Sequence, residues 1–217
     1  MSARGRLISF EGIDGSGKST QARLLAEALR ATGGDPLLTR EPGGSPGAEE
    51  IRALLLSGEP GRWSPRTEIL LFAAARSDHL ERTILPALEA GRDVICDRFA
   101  DSTRVYQSAA REGSGASPRP PLRALTDLIH AEAIGIEPDL TLILDVEPAP
   151  ALGRGIARLE GAARAAEGRF ERFGLAFQTG LREGFLALAR EFPGRCRVID
   201  GSGPPEAVAA RVRAAMG

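Results

Sequence analysis

The chain predicts an α/β fold: a five-stranded parallel sheet covered by helices on both faces. Three observations carry that expectation. Short apolar runs bounded by turn residues occur at 7–10, 36–39, 94–96, 140–145 and 197–199, helical periodicity fills the segments between them, and the two alternate regularly. Strands alternating with helices imply crossover connections, and those make a sheet parallel. A parallel sheet is normally buried on both faces and presents its ligand sites at the carboxyl ends of its strands. At 217 residues the chain has the size of one domain.

The first strand leads into Gly12-Ile13-Asp14-Gly15-Ser16-Gly17-Lys18-Ser19-Thr20, and a helical pattern follows over 19–31. The segment satisfies G-x-x-x-x-G-K-[ST], with a strand before it and a helix after it. Its glycines let successive backbone N–H groups curl around phosphate oxygens, the helix N-terminus adds a positive dipole end, and Lys18 adds a point charge. Ser19 offers a hydroxyl to Mg²⁺. These residues predict a P-loop NTPase fold that holds a nucleoside triphosphate with Mg²⁺ as cofactor. A Gly-rich turn that only caps a helix is the plainer alternative.

After the second strand, Thr39-Arg40-Glu41-Pro42-Gly43-Gly44 puts a fork-shaped guanidinium at a strand end, although a turn with a surface arginine would look the same. Helical patterns then cover 48–56 and 66–90. In the second of these Phe72 and Arg76 lie four apart and share a face, with Asp78 and His79 just beyond. A ring beside an arginine suits a planar base, while a core phenylalanine with a solvated arginine is the simpler reading. The third strand ends in Asp97-Arg98 and feeds a helix over 100–111 that carries Ser102, Thr103, Tyr106 and Gln107. Asp97 could hold Mg²⁺ through water and Arg98 could grip a second phosphate. Asp97 could equally be a helix cap. Further helices are expected at 121–132, 148–159, 170–191 and 205–215. The stretch 113–121 reads as a surface loop, and 153–168 as a frayed helix or a mobile flap.

Composition narrows the function classes. With 28 basic and 29 acidic residues the net charge is -1, so no broad positive field exists to draw nucleic acid or an anionic membrane. Of the basic residues 27 are Arg and one is Lys, which makes single arginines weak signals and the retained Lys18 a strong one. A guanine-reading GTPase would use an Asn-Lys-x-Asp loop, yet Asn is absent and the one lysine is committed. Cys96 and Cys196 are too few for a zinc site and read as buried, reduced thiols of a cytosolic protein. His79 and His130 read as structural or exposed, not catalytic. No apolar run reaches about eighteen residues, so a cytoplasmic location is expected.

Together FEGIDGSGKST, TREPGG, the LLFAAARSDH helix, DRFADSTRVYQ, the LILDV strand and the Arg-rich stretch before RFERFGLAF resemble the thymidylate kinase family. The match runs in order along nearly all of the chain. The resemblance implies transfer of the terminal phosphoryl of ATP to dTMP. It implies that Asp14 bonds the 3′-hydroxyl of dTMP, that Arg40 and Arg98 bind its phosphate, that Phe72 stacks on thymine and that Arg76 bonds a thymine carbonyl. Ser102 or Thr103 and Gln107 would complete the base pocket, and Tyr106 would crowd the sugar 2′ position against ribonucleotides. Members of the family bring an arginine to the transferring phosphoryl either from the P-loop or from a mobile LID, here about 153–169. The P-loop position is Gly15, so Arg154, Arg158 or Arg164 is expected to act beside Lys18, Asp14 and Arg98. Gly168 stands where the family usually has Asp. The resemblance also implies a homodimer joined through 48–56 and 66–90, and adenine contacts near 200–203 are expected.

Overall fold

The computed structural model describes residues 4–59, 61–109, 121–159 and 173–217. Strands β1 (Leu7–Glu11), β2 (Leu37–Arg40), β3 (Val94–Asp97), β4 (Leu140–Asp145) and β5 (Cys196–Asp200) form one sheet in the order β2-β3-β1-β4-β5. Every pairing is parallel, as the alternation predicts. β1 lies in the middle because all five of its residues can be buried. Its side chains alternate across the sheet. Ile8 and Phe10 pack against α1 (Lys18–Ala31) and α9 (Pro205–Ala214), while Leu7 meets Leu80, Ile84 and Leu88 on the other face. Ser9 and Glu11 are its polar residues, and the Ser9 hydroxyl meets that of Thr141 on β4 at 3.0 Å.

The remaining helices among the described residues are α2 (Pro46–Leu56), α3 (Pro65–His79), α4 (Leu85–Glu89), α5 (Ala100–Arg104), α6 (Leu122–Ala133), α7 (Pro148–Leu159) and α8 (Gly174–Glu191). α3 starts where Ser64 accepts from the Thr67 N–H at 3.2 Å with Pro65 in the first turn.

The expected single helix over 66–90 is corrected to α3, a π-helical turn at Leu80–Ile84, and α4. Pro86 explains the break. It has no N–H for the carbonyl of Arg82, so the ladder slips and the Leu85 N–H reaches back to Leu80. The helix expected over 100–111 likewise becomes α5 followed by a π turn at Val105–Ala109, which presents Tyr106 and Gln107. Such turns cluster at functional sites. Residues 110–120 and 160–172, which carry the expected loop, most of the LID, Arg164 and Gly168, lie outside the described residues.

Register brings the site together. Phe10 pairs with Asp97 and Asp97 with Arg40, so the loops after β1, β3 and β2 open side by side at the carboxyl edge. Both cysteines are buried and free. Among the described residues no helix is long and apolar enough to cross a membrane.

Candidate active site

The loop between β1 and α1 curls as its glycines permit. Gly17 enters α1 at φ 94 and Gly15 turns at φ 73, both left-handed. A Cβ on Gly15 would lie 2.0 Å from the Ala151 carbonyl oxygen, so α7 packs directly on the loop and leaves no room for an arginine there. Arg154, on the same helix, donates from Nε to the Gly15 carbonyl at 3.0 Å. Of the three arginines expected to serve the phosphoryl group, this one is brought to the cradle. The Arg158 side chain and Arg164 lie outside the described residues.

Lys18 is buried, with its ammonium 2.7 Å from the Ile13 carbonyl, 3.1 Å from that of Gly12 and 3.4 Å from the Ser16 hydroxyl. Burial and the neighbouring Arg98 lower its pKa to about 8. An anionic ligand would raise it again, since it supplies the counter-charge that the folded chain only partly provides. The Ser19 hydroxyl bonds Asp97, whose other carboxylate oxygen is buried without a partner among the described residues. Two hard oxygen ligands with an unsatisfied lone pair fit a divalent cation.

Arg98 is the only non-glycine residue with positive φ among those described, at φ 72. A bulky residue is costly there, and surroundings that fix it this firmly are typical of functional sites. Its guanidinium reaches Asp14 at 2.6 Å, the Ser102 hydroxyl at 3.0 Å, the Tyr106 hydroxyl at 3.0 Å and the Gly12 carbonyl at 3.3 Å. Tyr106 also donates to Asp14 at 3.0 Å. Burial pushes the Asp14 carboxyl up, but Arg98 and Lys18 outweigh it and hold the group below its ordinary value. Residues expected on the nucleoside and on the phosphate of one substrate are therefore bonded to each other.

Glu11, which the sequence reading passed over, supports this turn from the end of β1. Its carboxylate accepts from the Phe99 N–H at 2.8 Å and the Ser102 hydroxyl at 2.6 Å. Burial, with Asp101 adding, raises its pKa from 4.5 to about 7. The folded chain thus holds this proton more tightly than the unfolded chain. Stability contributed by the group is present below about 4.5 and lost as pH rises through about 7. Glu11→Gln removes that dependence. Between about pH 4.5 and pH 8 its stability should rise relative to the parent by about 3 kcal/mol. Denaturant melts across pH measure this, and a difference that does not change with pH would contradict it.

On the β2 side Arg40 Nη2 donates to both Glu49 carboxylate oxygens, at 2.9 and 3.1 Å. Phe72 packs with Leu56 against the cluster that includes Tyr106. Arg76 and Thr103 are buried and bonded at 3.0 Å, and Gln107 donates to Glu68 at 3.4 Å. His79 is buried against Glu41 and Thr39, and His130 is buried beside Glu137. One open cleft of about 1340 Å³ joins the two halves. It runs from Gly15, Lys18 and Thr20, with Gly201, Ser202 and Gly203 close by, past Asp97 and Arg98 to Arg40, Phe72, Arg76, Thr103 and Gln107. Arg52 and Glu147 also line it and were not anticipated. Neither stands in a recognisable pattern in the sequence.

A P-loop at one end of a continuous cleft and a second arginine-lined anion site at the other define a phosphotransferase that seats two anionic ligands together. The family model described as thymidylate kinase matches residues 10–212. The thymidylate kinase of Dinoroseobacter shibae is 66% identical, with 98% of this chain and 96% of that protein covered. That of Jannaschia sp. is 63% identical, covering 97% and 95%. The crystal structure of thymidylate kinase from Ehrlichia chaffeensis superposes with a TM-score of 0.75 at 32% identity, covering 99% of this chain and all of that one. The chain belongs to the thymidylate kinase family and has that family's activity, phosphorylation of dTMP by ATP.

Proposed function

We propose that transfer occurs directly between the two phosphates, with the P-loop holding ATP and Arg98 and Arg40 holding the acceptor. The observation that carries this reading is the single cleft lined by both Lys18 and Arg98. The acceptor is a phosphate monoester whose second pKa is near 6, so it is already a dianion at neutral pH and needs no strong base. What must be supplied is alignment and cancellation of charge between two anions. Lys18 and the backbone of residues 12–20 serve the donor. Asp14 passes from Arg98 to the sugar 3′-hydroxyl as the acceptor phosphate takes over the guanidinium. Phe72 and Arg76 receive the base, with Thr103 and Gln107 behind them, and Tyr106 closes on the sugar. Ser102 holds Arg98.

Arg154 is the LID arginine that we assign to the transferring group, a reading supported by its bond to Gly15. Ser19 and Asp97 would hold Mg²⁺, which when bound offsets the charge between the β- and γ-phosphates. The whole chain works as one domain with a LID over about 153–169, in the cytoplasm. Two copies associate through α2 and α3, a reading supported by the outward Leu54 and Leu70, which are 45% and 56% exposed. A solution mass of one 22.9 kDa chain would refute that pairing. ADP release from ATP tests the transfer itself: dTMP should drive it, and release indifferent to the acceptor would count against it.

A further inference from the structure

Arg76 is held from two sides. Its Nε donates to the Glu41 carboxylate at 2.7 Å and its Nη2 to the Thr103 hydroxyl at 3.0 Å, while its plane lies 5.2 Å from the Phe99 ring centre. Nη1 is then the one guanidinium nitrogen without a protein acceptor among the described residues, on a side chain that lines the cleft. Glu41 is itself fixed. Its second oxygen meets His79 Nδ1 at 3.3 Å, and His79 Nε2 meets the Thr39 hydroxyl at 2.8 Å. A carboxylate only accepts, so Nδ1 carries a proton and donates it to Glu41. Arg76, His79 and Glu41 are all buried. Glu41, His79 and Cys96 also bring one ligand atom each within 4.8 Å of one another. The guanidinium on Glu41 already supplies a cation there, so the cluster is complete without a metal.

We propose that Glu41, oriented by His79, is a positioning residue that aims the Nη1 edge of Arg76 and thereby sets which base the acceptor may carry. The proposal rests on the reading of Arg76 as the contact to a thymine carbonyl. Thymine presents an acceptor oxygen where cytosine presents an amino donor, so a donor fixed in place attracts one and repels the other. A donor free to swing discriminates less, because the flexible side chain evades the repulsion. Glu41 follows Arg40 directly, so one loop steadies both the phosphate grip and the base reader.

The test compares kcat/KM for dTMP and for dCMP in the parent, Glu41→Gln, Arg76→Ala and the double variant, with KM for ATP measured alongside. Arg76→Ala should lower the dTMP-to-dCMP ratio about a hundredfold and Glu41→Gln about tenfold, chiefly through KM for dTMP. The double variant should fall no lower than Arg76→Ala alone, since Glu41 acts through Arg76. A parent-like ratio in Glu41→Gln overturns the proposal and leaves the reading of Arg76 standing. So does a tenfold loss that persists in the Arg76→Ala background, or an equal rise in KM for ATP. A parent-like ratio in Arg76→Ala overturns the reading of Arg76 itself. If Glu41→Gln does not fold, Glu41→Asp carries the same comparison, because it keeps the charge but withdraws it from Nε.

Discussion

Lys18→Arg is expected to lose about a hundredfold to a thousandfold in kcat, although it keeps the positive charge. The ammonium of Lys18 fits among three oxygens of its own loop at 2.7 to 3.4 Å, a space matched to a compact donor with three hydrogens. A guanidinium is planar and longer, and it would have to displace the loop or project past the phosphate that it should hold. Elsewhere the chain uses arginine for every cation, 27 times. Retention of lysine here alone therefore argues that the geometry, not the charge, is selected. Single-turnover phosphoryl transfer measures the loss, and turnover within about threefold of the parent would contradict it.

Arg98→Ala should lower kcat/KM for dTMP by roughly a thousandfold while ATP affinity stays within about threefold. Arg98 is the guanidinium between the halves of the cleft, and Asp14, Ser102 and Tyr106 converge on it. Its removal leaves the buried Asp14 without its arginine, which costs stability as well, about 3 kcal/mol or more. The melting temperature should fall alongside, so the assay belongs well below it. Titration with a fluorescent ATP analogue separates the two ligands. A collapse of ATP binding with dTMP affinity retained would reverse the assignment of the two phosphate sites.

The sheet was legible because parallel strands bury both faces, and that writes itself into the chain as short apolar runs such as 140–145, which β4 matches residue for residue. The P-loop was legible because its function demands contiguous residues. The break inside 66–90 follows from Pro86, because a proline inside a periodic pattern shifts the ladder even where the helix continues. The supporting groups were not legible. Glu11 reads as an ordinary strand residue, and its partners Phe99 and Ser102 are 88 and 91 positions away. Asp14 and Arg98 were each singled out, but nothing local reveals that they bond one another across 84 positions. Glu41 and His79 likewise acquire meaning only when β2 and α3 pack, because a buried polar group is defined by the partner that satisfies it.

Turnover of an acceptor panel by the purified chain with ATP and Mg²⁺ bears most directly on the assignment of the cleft. Phosphorylation of dTMP should far exceed that of dUMP, dCMP and dGMP in kcat/KM. Equal or faster turnover of any of the other three would contradict it.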